Sequence, residues 1–181
     1  MVTIRSMTNV DAPVERCFKL AVSIDLLSAA TAQKAIDGTT SGLIGPGETV
    51  TWQGRGSLKK FTHQSLIEVW RPYSYFRDIM VEGPFKAYEH DHHFAPYNDG
   101  TRIRSEIRFT SSKGLLGRLS EKFFLRKRIK KMLREQNALI KKAAESDQWH
   151  EFLDGQSELD MRVFQAASAI PQQQTSRVYA G

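Results

Sequence analysis

The chain has 181 residues, 40% of them apolar and 10% aromatic, an ordinary composition for one globular domain with a tail. Its single cysteine excludes an intrachain disulfide and a cysteine-built metal site, and no stretch reaches the ~18 uninterrupted apolar residues that span a bilayer. The single cysteine and an N-terminus without the apolar core of a secretory signal point to a reducing, cytoplasmic setting, and the net charge is +6.

Residues 2–9 alternate as a first strand, with Val2, Ile4 and Ser6 on one side. Asp11-Ala12-Pro13-Val14-Glu15 reads as a helix start, Asp11 capping and Pro13 in the first turn. Val14, Cys17, Phe18 and Ala21 then recur at helical spacing. A second short helix is expected over 24–32, capped by Ser23 or Asp25, and residues 37–42 carry no strand pattern. After the Gly45-Pro46-Gly47 turn come a short strand at 48–53 and a long one at 59–70, which ends at Arg71-Pro72. Phe61, His63, Ser65, Ile67 and Val69 share one face of the long strand. The next strand, 73–82, has apolar groups on both faces. Tyr75, Arg77, Ile79 and Val81 oppose Phe76, Asp78, Met80 and Glu82, so its period leaves its facing open.

Gly83-Pro84 opens a strand whose faces differ in chemistry: Tyr88, His90, His92 and Phe94 on one, Glu89, Asp91 and His93 on the other. Residues 101–109 place Ile103, Ser105, Ile107 and Phe109 together, opposite a charged row of Arg102, Arg104, Glu106 and Arg108. The Asn98-Asp99-Gly100 turn between them predicts a hairpin. Setting Pro96 opposite Thr101 pairs Phe94 with Ile103, His92 with Ser105 and His90 with Ile107. On the reverse side Glu89 then meets Arg108. Asp91 falls opposite Glu106, with Arg104 and Arg108 as diagonal neighbours that offset the repulsion. A one-residue slip would set the aliphatic row beside acids, so this register is expected and turns His90 and His92 inward.

Residues 114–146 read as one long helix, opened by Gly114 and Gly117, with Leu116, Leu119, Phe123, Ile129, Leu133, Ile140 and Ala144 as its buried stripe. Ten of the 26 basic side chains lie in 118–142, which carries +8 and leaves −2 for the remainder. Beyond it, Trp149, Phe152, Leu153 and Phe164 allow a short appended helix, and 171–176 reads as a disordered end. The expected organisation is a domain over 1–146 and a partly disordered extension over 147–181. A sheet with one apolar face must be covered, and only the long helix is long enough to do so. The expected fold is α+β: an antiparallel sheet wrapped around a C-terminal helix, with two short helices after the first strand and a cavity between them.

Several motifs in this order resemble the START-like (SRPBCC) superfamily, nearest to its bacterial polyketide cyclase/dehydrase-like ligand-binding group. They are the 11–18 segment Asp-Ala-Pro-Val-Glu-Arg-Cys-Phe, the 45–52 segment Gly-Pro-Gly-Glu-Thr-Val-Thr-Trp, and Arg71-Pro72 with Phe76, Asp78 and Met80. Gly83-Pro84-Phe85, His90, His92, Phe94, Gly100-Thr101 and the 114–118 segment Gly-Leu-Leu-Gly-Arg complete the set. The resemblance covers about residues 2–145. It implies a helix-grip fold that binds a hydrophobic small molecule such as a lipid, quinone or polyketide. It nominates Phe76, Asp78, Met80, Tyr88, His90, His92 and Phe94 as cavity residues. Arg77 departs from the apolar residue expected there, which leaves the facing of Asp78 open.

Ser105 and Ile107 join these candidates through the hairpin register, and Trp52 stands at the cavity mouth or in the core. Two histidines at His-x-His spacing do not fix a metal geometry, since zinc needs a third ligand and Asp78 is the one evident candidate. The expectation is therefore no metal and no cofactor, with His90 and His92 either contacting a ligand's polar group or hydrogen-bonded within the core. A histidine oriented by Asp78 beside Tyr88 could also abstract a proton alpha to a carbonyl, as a cyclase or dehydratase requires. The row Arg126, Lys127, Arg128, Lys130 and Lys131 reads as a solvated face. Its sharper readings are an anionic membrane surface or, less favoured, RNA at the ribosome.

Overall fold

In the computed structural model, which describes residues 1–31, 33–55, 60–111 and 119–155, seven strands form one antiparallel sheet. They are β1 (Val2–Val10), β2 (Lys34–Gly38), β3 (Thr49–Arg55), β4 (Lys60–Arg71), β5 (Tyr75–Glu82), β6 (Phe85–Tyr97) and β7 (Gly100–Ser111). Their spatial order is β1-β7-β6-β5-β4-β3-β2, so β2 to β7 meander while β1 pairs with the last strand. Helices α1 (Val14–Ala21) and α2 (Ile24–Thr31) fill the crossing from β1 to β2. Helix α3 (Leu119–Ala144) packs against β1, α1 and α2, and α4 (Trp149–Leu153) follows it. This is the helix-grip arrangement expected from the sequence.

The β6–β7 hairpin has the expected register: Pro96 pairs with Thr101, Phe94 with Ile103, His92 with Ser105 and His90 with Ile107. Asn98 turns the chain with φ at 52°. Gly100 is demanded by β1, because a Cβ there would lie 2.2 Å from the Val10 carbonyl oxygen.

Four local expectations are corrected. Asp11 does not cap α1. Pro13 holds that position without a side-chain bond, and the Asp11 amide instead donates to Glu145 Oε1 at 2.7 Å. Residues 34–38 form an edge strand that runs into the stretch read as patternless. Only Ala35 in it is buried, so the strand is held by pairing to β3 and leaves little apolar signal. β5 starts at Tyr75 rather than at 73, because residues 71–74 turn through Tyr73 at φ 59°. In β4, a register shift between Ile67 and Val69 lifts Val69 off the inner row and buries Trp70 in its place. Ser23 does cap α2, accepting the Leu26 amide at 3.3 Å, while Asp25 accepts from the Gly42 amide.

The interior divides into two apolar clusters. The larger is built on Phe18, whose ring meets Trp70, Tyr73, Phe76 and Phe94 edge-on at 5.0 to 5.7 Å. Ile103 and Ile140 complete its contact with β7 and α3. The smaller holds Ile4, Tyr88, Ile107, Phe109, Ile129 and Leu133. Between them runs a polar seam. Ser6 pairs with Ser105 and Ser105 with His92, while Asn137 of α3 meets the Ser105 hydroxyl at 3.4 to 3.5 Å.

Of the expected α3 stripe, Ile129, Leu133, Ile140 and Ala144 are buried, joined by Gln136 and Asn137. Gly114, Leu116 and Gly117, and the side chains of Leu119 and Phe123, lie outside the described residues. Trp149, Phe152 and Leu153 of α4 are half-buried against the larger cluster, with the Arg16 guanidinium 4.6 Å from the Trp149 ring centre. Phe164 and residues 171–176 lie outside the described residues. No helix among the described residues is long and apolar enough to cross a membrane.

Candidate functional site

The inner rows of β3 to β6, together with α2 and α3, enclose a cavity of about 1250 Å³. Its wall is largely apolar: Val50, Trp52, Ile67 and Phe76 from the sheet, Leu27 from α2 and Ile129 from α3. A volume of this order takes a molecule larger than a typical drug-sized ligand.

The polar wall is concentrated on neighbouring strands. β5 turns its even face inward, which settles the facing left open by the sequence and brings Asp78 directly opposite His90. His92, two residues along β6, lies on the same side. A neutral His92 carrying its proton on Nε2 donates to Asp78 Oδ1 at 3.1 Å. His90 Nδ1 stands 3.6 Å from the same oxygen, outside hydrogen-bond range. The two imidazoles lie with centres 3.6 Å apart, and His92 stacks on Phe76 at 4.0 Å. His90 Nε2 is buried and makes no hydrogen bond to any described residue.

Burial governs the electrostatics. It lowers the pKa of both His90 and His92 to about 3, with the neighbouring His92 adding to the effect on His90, so both rings are neutral at neutral pH. Burial raises Asp78 above the usual carboxylate range, against the opposing pull of His90 and His63. It also pushes Tyr88 well above an ordinary phenol.

Six of the ten residues nominated from the sequence line the cavity: Trp52, Phe76, Asp78, Tyr88, His90 and His92. The other four serve packing. Met80 sits against the smaller cluster and Ile107 is fully buried within it. Phe94 belongs to the aromatic group around Phe18, and Ser105 is taken up by Asn137. His63 and Gln136 line the cavity and were not nominated. His63 bonds Ser65 Oγ at 2.7 Å and meets Tyr88 edge-on. Its signal was present, since it shares the β4 row with Phe61, Ser65 and Ile67. Gln136 is a polar residue on the buried side of a helix, which a stripe of apolar residues does not reveal.

Arg126, Lys127, Arg128, Lys130 and Lys131 are exposed along α3, and Arg128 and Lys131 border the cavity. Lys131 forms a surface pair with Glu135 at 3.5 Å.

No family model and no curated protein sequence matches the chain. Its fold does match solved structures. A protein from Thermus thermophilus shares 21% identity at a TM-score of 0.63, over 80% of this chain and 100% of that one. The di-domain ARO/CYC StfQ from the steffimycin biosynthetic pathway matches at 0.65 with 12% identity, over 80% of this chain and 50% of that one. The major latex-like protein 151 of Panax ginseng matches at 0.56 with 11% identity, over 80% and 98%. These likenesses bear out the START-like resemblance as a likeness of fold.

Proposed function

We propose that the chain binds a largely apolar small molecule, lipid-, quinone- or polyketide-like, with an oxygen function of that molecule placed against His90. The observation that carries this reading is His90 Nε2, buried in the polar part of a largely apolar cavity wall with no hydrogen bond to a described residue. Leaving such an atom unpaired costs about 1–3 kcal/mol, which a bound hydroxyl removes. Asp78 stands on the Nδ1 side of the neutral ring, which favours the proton there and leaves a lone pair at Nε2 to accept from a ligand. The test is titration of chelator-treated protein with a hydroxyanthraquinone and its O-methyl ether, alongside mass spectrometry of whatever co-purifies. Binding of the hydroxyl compound, weakened about tenfold in His90→Leu while the ether is unaffected, is the expected result, a tenfold change being about 1.4 kcal/mol. Absence of binding to either compound and of any co-purified molecule sinks the proposal, as does equal weakening of both compounds.

A second reading rests on the Asp78–His92 hydrogen bond beside the same lone pair. An imidazole oriented by a carboxylate in the cavity wall is a general base suited to cyclisation or dehydration of a carbonyl compound. The ARO/CYC name of one structural neighbour supports keeping it. Turnover of a poly-β-keto substrate mimic would promote this reading over simple binding.

The exposed cations of α3 support loading at an anionic lipid surface, because Arg128 and Lys131 stand at the cavity's border. The protein is expected to float with phosphatidylglycerol vesicles at low salt and to be released at high salt. Failure to float at low salt removes the membrane from the proposal.

A further inference from the structure

We propose that Asp78, His90 and His92 form a three-ligand site for a divalent transition-metal ion, zinc by the character of its ligands, open towards the cavity. The sequence alone led to no expectation of a metal, because the third ligand depended on the unknown facing of β5. With Asp78 paired opposite His90 and His92 two positions further along the same row, the three side chains converge.

Their donor atoms all lie within 4.8 Å of one another. A zinc ion held at about 2.0–2.1 Å by each of three tetrahedral ligands spaces its donors roughly 3.3 Å apart. The carboxylate oxygen stands 3.1 Å from His92 Nε2 and 3.6 Å from His90 Nδ1, both near that spacing, and closing the remaining His90–His92 separation, within 4.8 Å, needs a side-chain adjustment on binding.

The chemistry also fits. Two imidazoles and a carboxylate facing one cavity are ordinary zinc ligands. Among the described residues, the only side chains paired with Asp78 are these same histidines, and no lysine or arginine pairs with it. The nearby guanidiniums of Arg77 and Arg108 are committed to Asp91 on the opposite face. A divalent cation supplies the counter-charge that the carboxylate lacks. Three protein ligands also leave one position for water or a ligand oxygen, and all three residues line the cavity.

This inference does not rest on the ligand proposal, which describes the metal-free protein: with a metal on His90 Nδ1 the ring proton sits on Nε2, which then donates to a ligand oxygen, and the test uses metal alone. The full chain is stripped with chelator and titrated with Zn²⁺ by calorimetry and with Co²⁺ by visible absorption. Saturable binding of a single equivalent is expected, with the intense bands of tetrahedral cobalt. His90→Gln, His92→Gln and Asp78→Asn should each weaken binding by at least about tenfold, since even groups that only support metal ligands cost 10–100-fold. His150→Gln serves as control, because His150 and Asp154 form an exposed pair at 2.6 Å that could hold a metal weakly. Should the variants fail to fold, imidazole ¹⁵N resonances of the wild-type protein decide. Zn²⁺ should shift those of His90 and His92. No saturable binding overturns the proposal, as does binding lost only in His150→Gln or unshifted His90 and His92 resonances.

Discussion

Asp91 shows how one side chain holds the outer face of the sheet as firmly as the histidines define the inner one. It is 4% exposed, yet fully provided for: Arg77 Nε donates at 2.7 Å, Arg108 Nη2 at 2.6 Å, and the Tyr75 hydroxyl donates as well. Burial alone would raise its pKa, but hydrogen bonds from Tyr75 and Arg77 and the charges of both arginines hold it below the ordinary range. Tyr75 is in turn pushed up to about 12, by burial and then by Asp91. Asp91→Ala strands two partly buried guanidiniums. Buried pairs broken this way cost about 3–5 kcal/mol, and solvent access to the arginines reduces the expected loss to about 2–4 kcal/mol in urea unfolding. Glu106→Ala removes the partner of the largely exposed Arg5 and should cost far less than Asp91→Ala. Similar small losses for both variants would show that the Asp91 network adds little. The sequence pointed to Arg104 and Arg108 as the offset for the Asp91–Glu106 juxtaposition, and of the two it is Arg108 that pairs with Asp91. It did not point to Arg77, whose approach depends on the β5–β6 register rather than on the hairpin.

Among the elements, the β6–β7 hairpin was the most legible, because a charged row, an aliphatic row and a turn all specify the same register. Elsewhere the local pattern was weak or outweighed. The β4 shift exchanges Val69 for Trp70, and alternation cannot anticipate a bulge. The role of Asp11 at the start of α1 was misread because its hydrogen-bond partner lies far along the chain. Glu145, one residue past α3, accepts the Asp11 amide and pairs with Lys141 Nζ, which itself donates to the Asn9 carbonyl. The Arg16 guanidinium closes the same joint, donating to the Ala144 carbonyl at 3.0 Å. The end of α3 thus clamps the β1–α1 connection. Burial tends to raise Glu145, but Lys141 and the Asp11 amide lower it below an ordinary glutamate. A depressed carboxylate contributes stability above the unfolded-state pKa and loses it as pH falls through the folded one. The stability gap between wild type and Glu145→Gln should therefore close between about pH 6 and pH 3, near and below the ordinary glutamate value. A gap that stays constant on acidification would deny the clamp its charge. With the carboxylate largely solvent-accessible, the effect is a small one.

For the whole molecule, order and pattern sufficed to read an antiparallel sheet gripping a helix. The cavity's contents were only half legible. Tyr88, His90 and His92 followed from the hairpin alone, whereas Asp78 and His63 required strands whose facing or role the pattern left undecided. The polar seam was half hidden for a related reason. The hairpin register paired His92 with Ser105, whereas Ser6 of β1 and Asn137 of α3, which extend the seam, do not stand out within their own segments. One further property follows from where the tryptophans sit. Trp52 is in the cavity wall, Trp70 is in the aromatic group around Phe18, and Trp149 lies under Arg16 at the junction of α4 with α1. The chain has only these three, each in a different part of the larger apolar cluster. Intrinsic fluorescence is therefore a three-channel signal: occupancy at Trp52, integrity of the closed core at Trp70, and attachment of the C-terminal segment at Trp149. Single-tryptophan versions would report on the cavity wall, the Phe18 aromatic group and the α4 junction of this one cluster without an added dye.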